Sequence, residues 1–392
     1  MNSSGSDDVN RSSRPRRLRW CIIATMLLVA SVLSAGLWSA FTYDRANRQQ
    51  TVVASLIKQG ATCHYDFQRI PSSSLGIIYG QSELGFIYQS DASCIELDGL
   101  PGPAWIRKWF GLDAVAQVET VRLSGRLEEL DLGSLAQLPG LKNLELEDWT
   151  DISRAPDAPV KTIRLQALST LTQLKRLSIN AYDVKLDLLF VAALPNLESL
   201  SLKGLRLDEA GLEHVGRISR LKVLRLSGDM LTTYGAFRGN DLCHLSGLSE
   251  LQELDLAINP IDDESLRHLE GLSQLKRLNL SRTEVTDKGM ALLLRLKQME
   301  SLDLAGTKIT DGGLVQLVAL TRLDTLDVSE TQITDEGIKV LQALPWLRWF
   351  SYQSKNTTER SEKYVKQFDL MSLEYNQQRK RGWYKSDEGV FK

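Results

Sequence analysis

From Leu251 to Trp346 the chain repeats itself every 24 residues. Residues 251–274 read LQELDLAINPIDDESLRHLEGLSQ, and residues 275–298 read LKRLNLSRTEVTDKGMALLLRLKQ. Residues 299–322 (MESLDLAGTKITDGGLVQLVALTR) and 323–346 (LDTLDVSETQITDEGIKVLQALPW) follow in the same frame. Residues 197–220 form a looser fifth copy. Segments 118–140 and 174–196 are each one residue short, 141–173 carries nine extra residues around Asp151–Pro159, and 221–250 carries six around Tyr234–Asn240. The array reads as nine units with a tenth strand begun at Leu347. Self-similarity at a fixed period marks a stacked architecture, because no unit can bury its apolar residues alone.

The pattern converts into geometry. In the L-x-x-L-x-L half, alternation turns Leu302 and Leu304 inward and Asp303 outward, as in a strand. In the second half apolar residues recur every three, as at Leu314, Leu317 and Leu320, which is one buried stripe of a helix. Asp287, Asp311 and Asp335 precede these helices and are expected to cap them. Each unit is then strand, turn and short helix.

These residues resemble the leucine-rich-repeat superfamily, in particular its members whose helices start T-D-x-G-L. The resemblance covers 118–352 and is strongest over 251–346. It implies an α/β solenoid with a parallel sheet on the concave face and helices on the convex face. The flanking segments QGATCHYDFQ (59–68), PGPAWIRKWFG (101–111) and VETVRLSG (118–125) are similar to the N-terminal layout of bacterial membrane-anchored leucine-rich-repeat proteins. That second likeness implies architecture and topology only.

An uncharged run, WCIIATMLLVASVLSAGLWSAFTY, separates Arg19 from Asp44. As a helix it would reach about 36 Å, enough to cross a hydrocarbon core of roughly 30 Å. Trp20 marks one end; Trp38, Phe41 and Tyr43 mark the other. Arg11, Arg14, Arg16, Arg17 and Arg19 precede it, so the positive-inside bias places the N-terminus in the cytoplasm and the repeats outside. A cleaved signal peptide is the rival reading, and it too exports the rest. The expected layout is a cytoplasmic tail (1–19), one transmembrane helix (20–43), a juxtamembrane and capping region (44–117), the solenoid (118–352), and a C-terminal capping helix and tail (353–392). Trp105, Trp109 and Phe110 would cover the first repeat, and Tyr364, Phe368 and Met371 the last.

The cysteines are Cys21, Cys63, Cys94 and Cys243, and no two form a C-x-x-C pair with metal-ligand spacing. Cys63 and Cys94 lie outside both the apolar run and the repeats. They are either thiols or, in an oxidising compartment, a disulfide stapling the region before the repeats. A net charge of -2 is too small to imply a nucleic-acid partner, and 43% hydrophobic content excludes wholesale disorder.

Three histidines, His214, His244 and His268, share one repeat position and invite a metal site. Neighbouring helices lie about 8–10 Å apart, whereas ligands must come within about 2 Å of one zinc, so a structural role is the expectation. Thr283, Thr307 and Thr331, with Asn259 a repeat earlier, form a column suited to side-chain hydrogen bonds with nearby backbone. The residue between the strand leucines is the candidate contact position: Arg225, Asp255, Asn279, Asp303 and Asp327. Strands about 4.8 Å apart would make the three aspartates an acidic strip open to a cation or a basic ligand. The alternative is a plain solvated edge.

No phosphate-binding, dinucleotide, nucleophile-elbow or zinc-protease motif is present, and His64 has no evident nucleophile partner. The expectation is a non-enzymatic, cofactor-free interaction protein whose concave face binds a protein or polysaccharide. Rival readings are a receptor signalling through a membrane partner and an envelope spacer.

Overall fold

A computed structural model describes residues 43–65, 117–148, 162–228, 237, 239–344 and 347–365. The chain divides into two compact units. The first comprises residues 1–51 and 98–116, of which 43–51 are described and helical. No described helix is long and apolar enough to cross a membrane. Residues 20–42 of the expected span, the aromatic residues Trp105, Trp109 and Phe110, and Phe368 and Met371 lie outside the described residues.

The second unit, 52–97 and 117–392, contains the repeats. Residues 52–58 form a helix that buries Val52, Val53 and Leu56 and turns into β1 (Thr62–Tyr65). Then come β2 (Val118–Ser124), β3 (Asn143–Asp148), β4 (Thr162–Arg164), β5 (Arg176–Asp187) and β6 (Ser199–Arg206). Six short strands follow: β7 (Val223–Arg225), β8 (Glu253–Asp255), β9 (Arg277–Asn279), β10 (Ser301–Asp303), β11 (Thr325–Asp327) and β12 (Trp349–Ser351). All join one sheet in chain order, except that β4 stands off the path and pairs with the far half of β5. From β2 to β12 the pairing is parallel, while β1 runs antiparallel to β2 and covers that edge of the sheet. His64 lies on β1.

Register follows the repeat. Leu254, Leu278, Leu302, Leu326 and Phe350 stand beside one another on successive strands, each at most 2% exposed. Burying one such side chain contributes about 1.5–3 kcal/mol. The far side of each unit carries the helix, and strands closer together than helices bend such a stack toward the sheet side.

The helices are not uniform. Units that carry the Thr-Asp pair form α-helices: α2 (Asp287–Leu293), α3 (Asp311–Leu317) and α4 (Asp335–Val340), after α1 (Glu209–Gly216) with its Asp208 cap. Units without such a cap form 3-10 turns, as at Leu132–Gln137, Gln166–Thr170, Leu189–Ala193 and Ser265–Leu269. A last helix, α5 (Glu359–Val365), follows β12. It packs against α4 with the same 24-residue offset, as the helix of a tenth unit would.

The capping expectation needs correction. The caps are Thr286, Thr310 and Thr334, whose hydroxyls accept from Lys288, Gly312 and Glu336 N–H. Asp287 instead reaches into the next repeat, where Thr310 donates its backbone N–H to Oδ1 (2.8 Å) and its hydroxyl to Oδ2 (2.5 Å). Asp263 holds Thr286 in the same way, Asp311 holds Thr334, and Asp335 holds Thr358. The glycine of T-D-x-G makes the reach possible. A Cβ on Gly313 would stand 2.6 Å from Asp287 Oδ1, and one on Gly337 would collide with Asp311.

Candidate functional site

The outer face of the sheet carries two side-chain columns. One holds Thr120, Asn143, Arg176, Ser199, Val223, Glu253, Arg277, Ser301, Thr325 and Trp349. The second holds Arg122, Glu145, Ser178, Ser201, Arg225, Asp255, Asn279, Asp303, Asp327 and Ser351. The five expected contact residues, Arg225 to Asp327, therefore do stand in one row.

Their roles differ from the expectation. Asp255 Oδ1 accepts the N–H of Ala257 (3.0 Å), Asn279 that of Ser281 (2.9 Å), Asp303 that of Ala305 (3.0 Å) and Asp327 that of Ser329 (2.9 Å). Each side chain closes the turn that ends its strand, a local bond that short acidic and amide residues make readily. The recurrence of LDL and LDV follows from that bond. Asp303 and Asp327 are also only 4% and 2% exposed, so the acidic strip is not an open surface. Asp255 is half-buried, and desolvation of its carboxyl outweighs the Ala257 N–H and Arg225 and raises its pKa.

The ionic centre of this face lies one column over. Arg225 donates to Glu253 Oε1 from Nε (2.8 Å) and Nη2 (2.6 Å), and Arg277 Nε donates to Glu253 Oε2 (2.9 Å). Burial works to raise the Glu253 pKa, but the two guanidiniums together hold it below the ordinary carboxylate value. Side chains of Arg225, Glu253 and Arg277 keep 22%, 17% and 37% exposure, so the cluster is accessible. Glu253 and Arg277 fall outside the expected set, which covers only the position between the leucines. The sequence does carry their signal: opposite charges at equal repeat positions in consecutive units. Nearer the N-terminus Arg122 pairs with Glu145, and Arg176 donates to Asn143, which donates to Thr120.

The remaining candidates are structural. Thr283, Thr307 and Thr331 each donate a 2.6 Å hydrogen bond to the carbonyl three residues before, and Asn259 Nδ2 reaches three carbonyls, as expected of that column. His214, His244 and His268 are half-buried on consecutive units, with His244 Nε2 3.4 Å from Glu209. Among the described residues no three metal-ligating side chains gather. Cys63 lies on β1, half-buried; Cys94 lies outside the described residues, as does any bond between them. A cavity of about 480 Å³ opens beside Leu127, Asp131, Leu132, Ile163 and Arg164, and among the described residues its lining has no histidine, cysteine or serine.

A family model described as leucine-rich repeat matches residues 272–294, 298–318 and 320–341, in agreement with this geometry. No curated protein matches the chain in sequence. Among solved structures, an internalin of Listeria monocytogenes is 25% identical, over 58% of this chain and 71% of that one, with a TM-score of 0.41. Internalin C2 of the same species is 23% identical over 57% and 84%, with a TM-score of 0.39. The mouse RP105/MD-1 complex aligns at 23% identity over 63% and 40%, with a TM-score of 0.42.

Proposed function

We propose, from the premise that the chain belongs to the leucine-rich-repeat superfamily, that it is a non-catalytic binding protein whose outer sheet face engages a protein partner. The observation that carries this reading is the Arg225–Glu253–Arg277 cluster, an accessible and preorganised set of charges at the middle of the face. Guanidiniums already held by a carboxylate lose little freedom on binding. A broad face of this kind suits a macromolecule better than a small ligand, which needs enclosure. Exposed ions in place of a row of aromatic rings favour a protein over a polysaccharide.

The uncharged run 20–43 completes the proposal as a membrane anchor, with the N-terminus cytoplasmic and the repeats outside. Its support is the length of the run and the arginines before it.

The test is capture from native membranes by the full chain and by a variant carrying Arg225→Gln, Glu253→Gln and Arg277→Gln. These near-isosteric changes remove the charges and keep the bulk. A partner retained by the parent should be lost from the variant, with the unfolding midpoint showing that the variant is folded. Equal capture by both proteins refutes the assignment of the face. A polysaccharide recovered in place of a protein overturns the partner class.

A further inference from the structure

Backbone bonds knit neighbouring units together just before each convex turn. Ile261, Val285 and Ile309 are buried five residues ahead of Leu266, Met290 and Leu314. Their carbonyls accept the N–H of Glu284 (2.8 Å), Lys308 (2.9 Å) and Gln332 (3.1 Å) from the next unit. Leu127 and Ile163 hold the same place in the first and second units, ahead of Leu132 and Leu168. The matching rung there would run from Thr162 N–H to the Leu127 carbonyl, and it is not formed. The cavity of about 480 Å³ parts the two segments instead, with Leu127–Gly133 on one wall and Thr162–Leu165 on the other. β4 pairs with β5 along its far edge, and among the described elements no strand pairs with the edge that faces the cavity.

We propose that this gap is a docking site for an extended peptide of a partner protein, which adds as a strand along β4 and sets a lysine or arginine beside Asp131. Three observations select this occupant. First, an unpaired strand edge is a template for extended backbone, and three residues of β4 offer about 10 Å of it. Second, the walls are apolar at the bottom, where Leu127, Leu132, Ile163 and Leu165 are buried, and half-buried Leu130 and Ala167 remain for an alternate side chain to cover. Third, the rim on the Leu127 side is acidic. Glu128 and Asp131 are exposed there, and the Asp131 side chain does not cap the turn that it precedes. Across the cavity the nearest cation, Arg164, already faces Asp187 at 3.7 Å. A positive side chain on the peptide is therefore the complementary one.

The site lies at the first two units, away from the Arg225–Glu253–Arg277 cluster, and does not depend on what that cluster binds.

The test presents the full chain with three blocked heptapeptides, TVKVKVT, TVEVEVT and TPKPKPT. Titration calorimetry ranks them, and hydrogen exchange read by mass spectrometry follows the amides of residues 162–165. TVKVKVT should bind and slow that exchange at least ten-fold, TVEVEVT should bind about ten-fold more weakly, and TPKPKPT, which lacks the backbone donors, should not bind. Asp131→Lys should reverse the preference between the first two. Ala167→Trp, which fills the cavity, should abolish binding of both, with an unchanged unfolding midpoint showing that the variant is folded. Unaltered exchange at 162–165 with every peptide overturns the proposal, as does TPKPKPT binding as well as TVKVKVT. Slowed exchange with equal affinity for the lysine and glutamate peptides keeps the strand addition and overturns the charge choice. Dimerisation of the chain alone, lost in Ala167→Trp, overturns the partner peptide in favour of a second copy.

Discussion

Arg282 reaches across an entire repeat to Glu330, with Nη2 3.0 Å from the carboxylate and 48 residues between them. Both residues, and Gly306 midway, occupy one repeat position and hold left-handed backbone, with φ of 57°, 59° and 70°. Gly306 lies beneath the arginine, where a Cβ would stand 3.1 Å from Arg282 Cγ. The missing side chain lets the ion pair skip a unit.

Gly306→Val should therefore cost about 1–2 kcal/mol, from a β-branched residue at positive φ and a displaced Arg282. Arg282→Ala should cost less than about 1 kcal/mol, because the pair is exposed. Arg282→Gly should be the more stable of the two Arg282 variants, by about 1 kcal/mol, since glycine relieves the left-handed strain. Urea unfolding ranks all three, and a Gly306→Val protein as stable as its parent would remove the steric argument.

The inter-repeat ladder is worth more than the capping bonds it resembles. Asp287→Ala should cost about 2 kcal/mol, since it strips both the N–H and the hydroxyl of Thr310 of their charged acceptor. Gly313→Ala should cost a similar amount, because the new methyl pushes Asp287 off the same two bonds. In the double variant the losses should not add, and full additivity in the cycle would show the two effects to be independent.

Asp255 holds a charge that its surroundings disfavour. Burial raises its folded pKa, so the native state binds the proton more tightly than the unfolded chain does. Its charged form thus costs stability near neutrality, a cost that fades as pH falls through the raised value. Asp255→Asn keeps the acceptor for Ala257 N–H, as Asn279 does for Ser281. The unfolding midpoint at pH 7 should rise by about 2 °C or more, and the gain should shrink in acid. A lower midpoint at pH 7 would mean that the Arg225 attraction dominates.

Glu253 has the opposite sign. Its folded pKa is depressed below the ordinary 4.5, so its contribution is complete above that value and is lost as pH falls through the folded one. Glu253→Gln should cost about 2 kcal/mol at pH 7, leaving Arg225 and Arg277 facing each other. Parent and variant should converge as pH drops below 4.5. Parallel stability curves down to pH 2 would contradict the assignment.

Much of this molecule is legible in the order of its residues. Leucines at period two and then at period three announce strand and helix, and their 24-residue recurrence announces the stack, because a local periodicity reports which side a residue faces. The Thr283 column is legible for the same reason: its partner lies three residues away. Where the partner sits a full repeat away, local pattern fails. Thr-Asp before a helix looks like a cap followed by a first-turn acid, and nothing local tells that Asp287 serves Thr310. The aspartates at positions 255, 303 and 327 look like open surface because alternation points them outward, yet alternation is blind to what lies over the sheet.

The chain by itself thus settled the repeat and the inward leucines, both set by bonds and faces within one unit. Tertiary structure alone decided which unit each carboxylate serves, that Glu253 gathers two arginines, and how much of the outer face is covered. Those depend on distances between units, which periodicity leaves free and close packing sets.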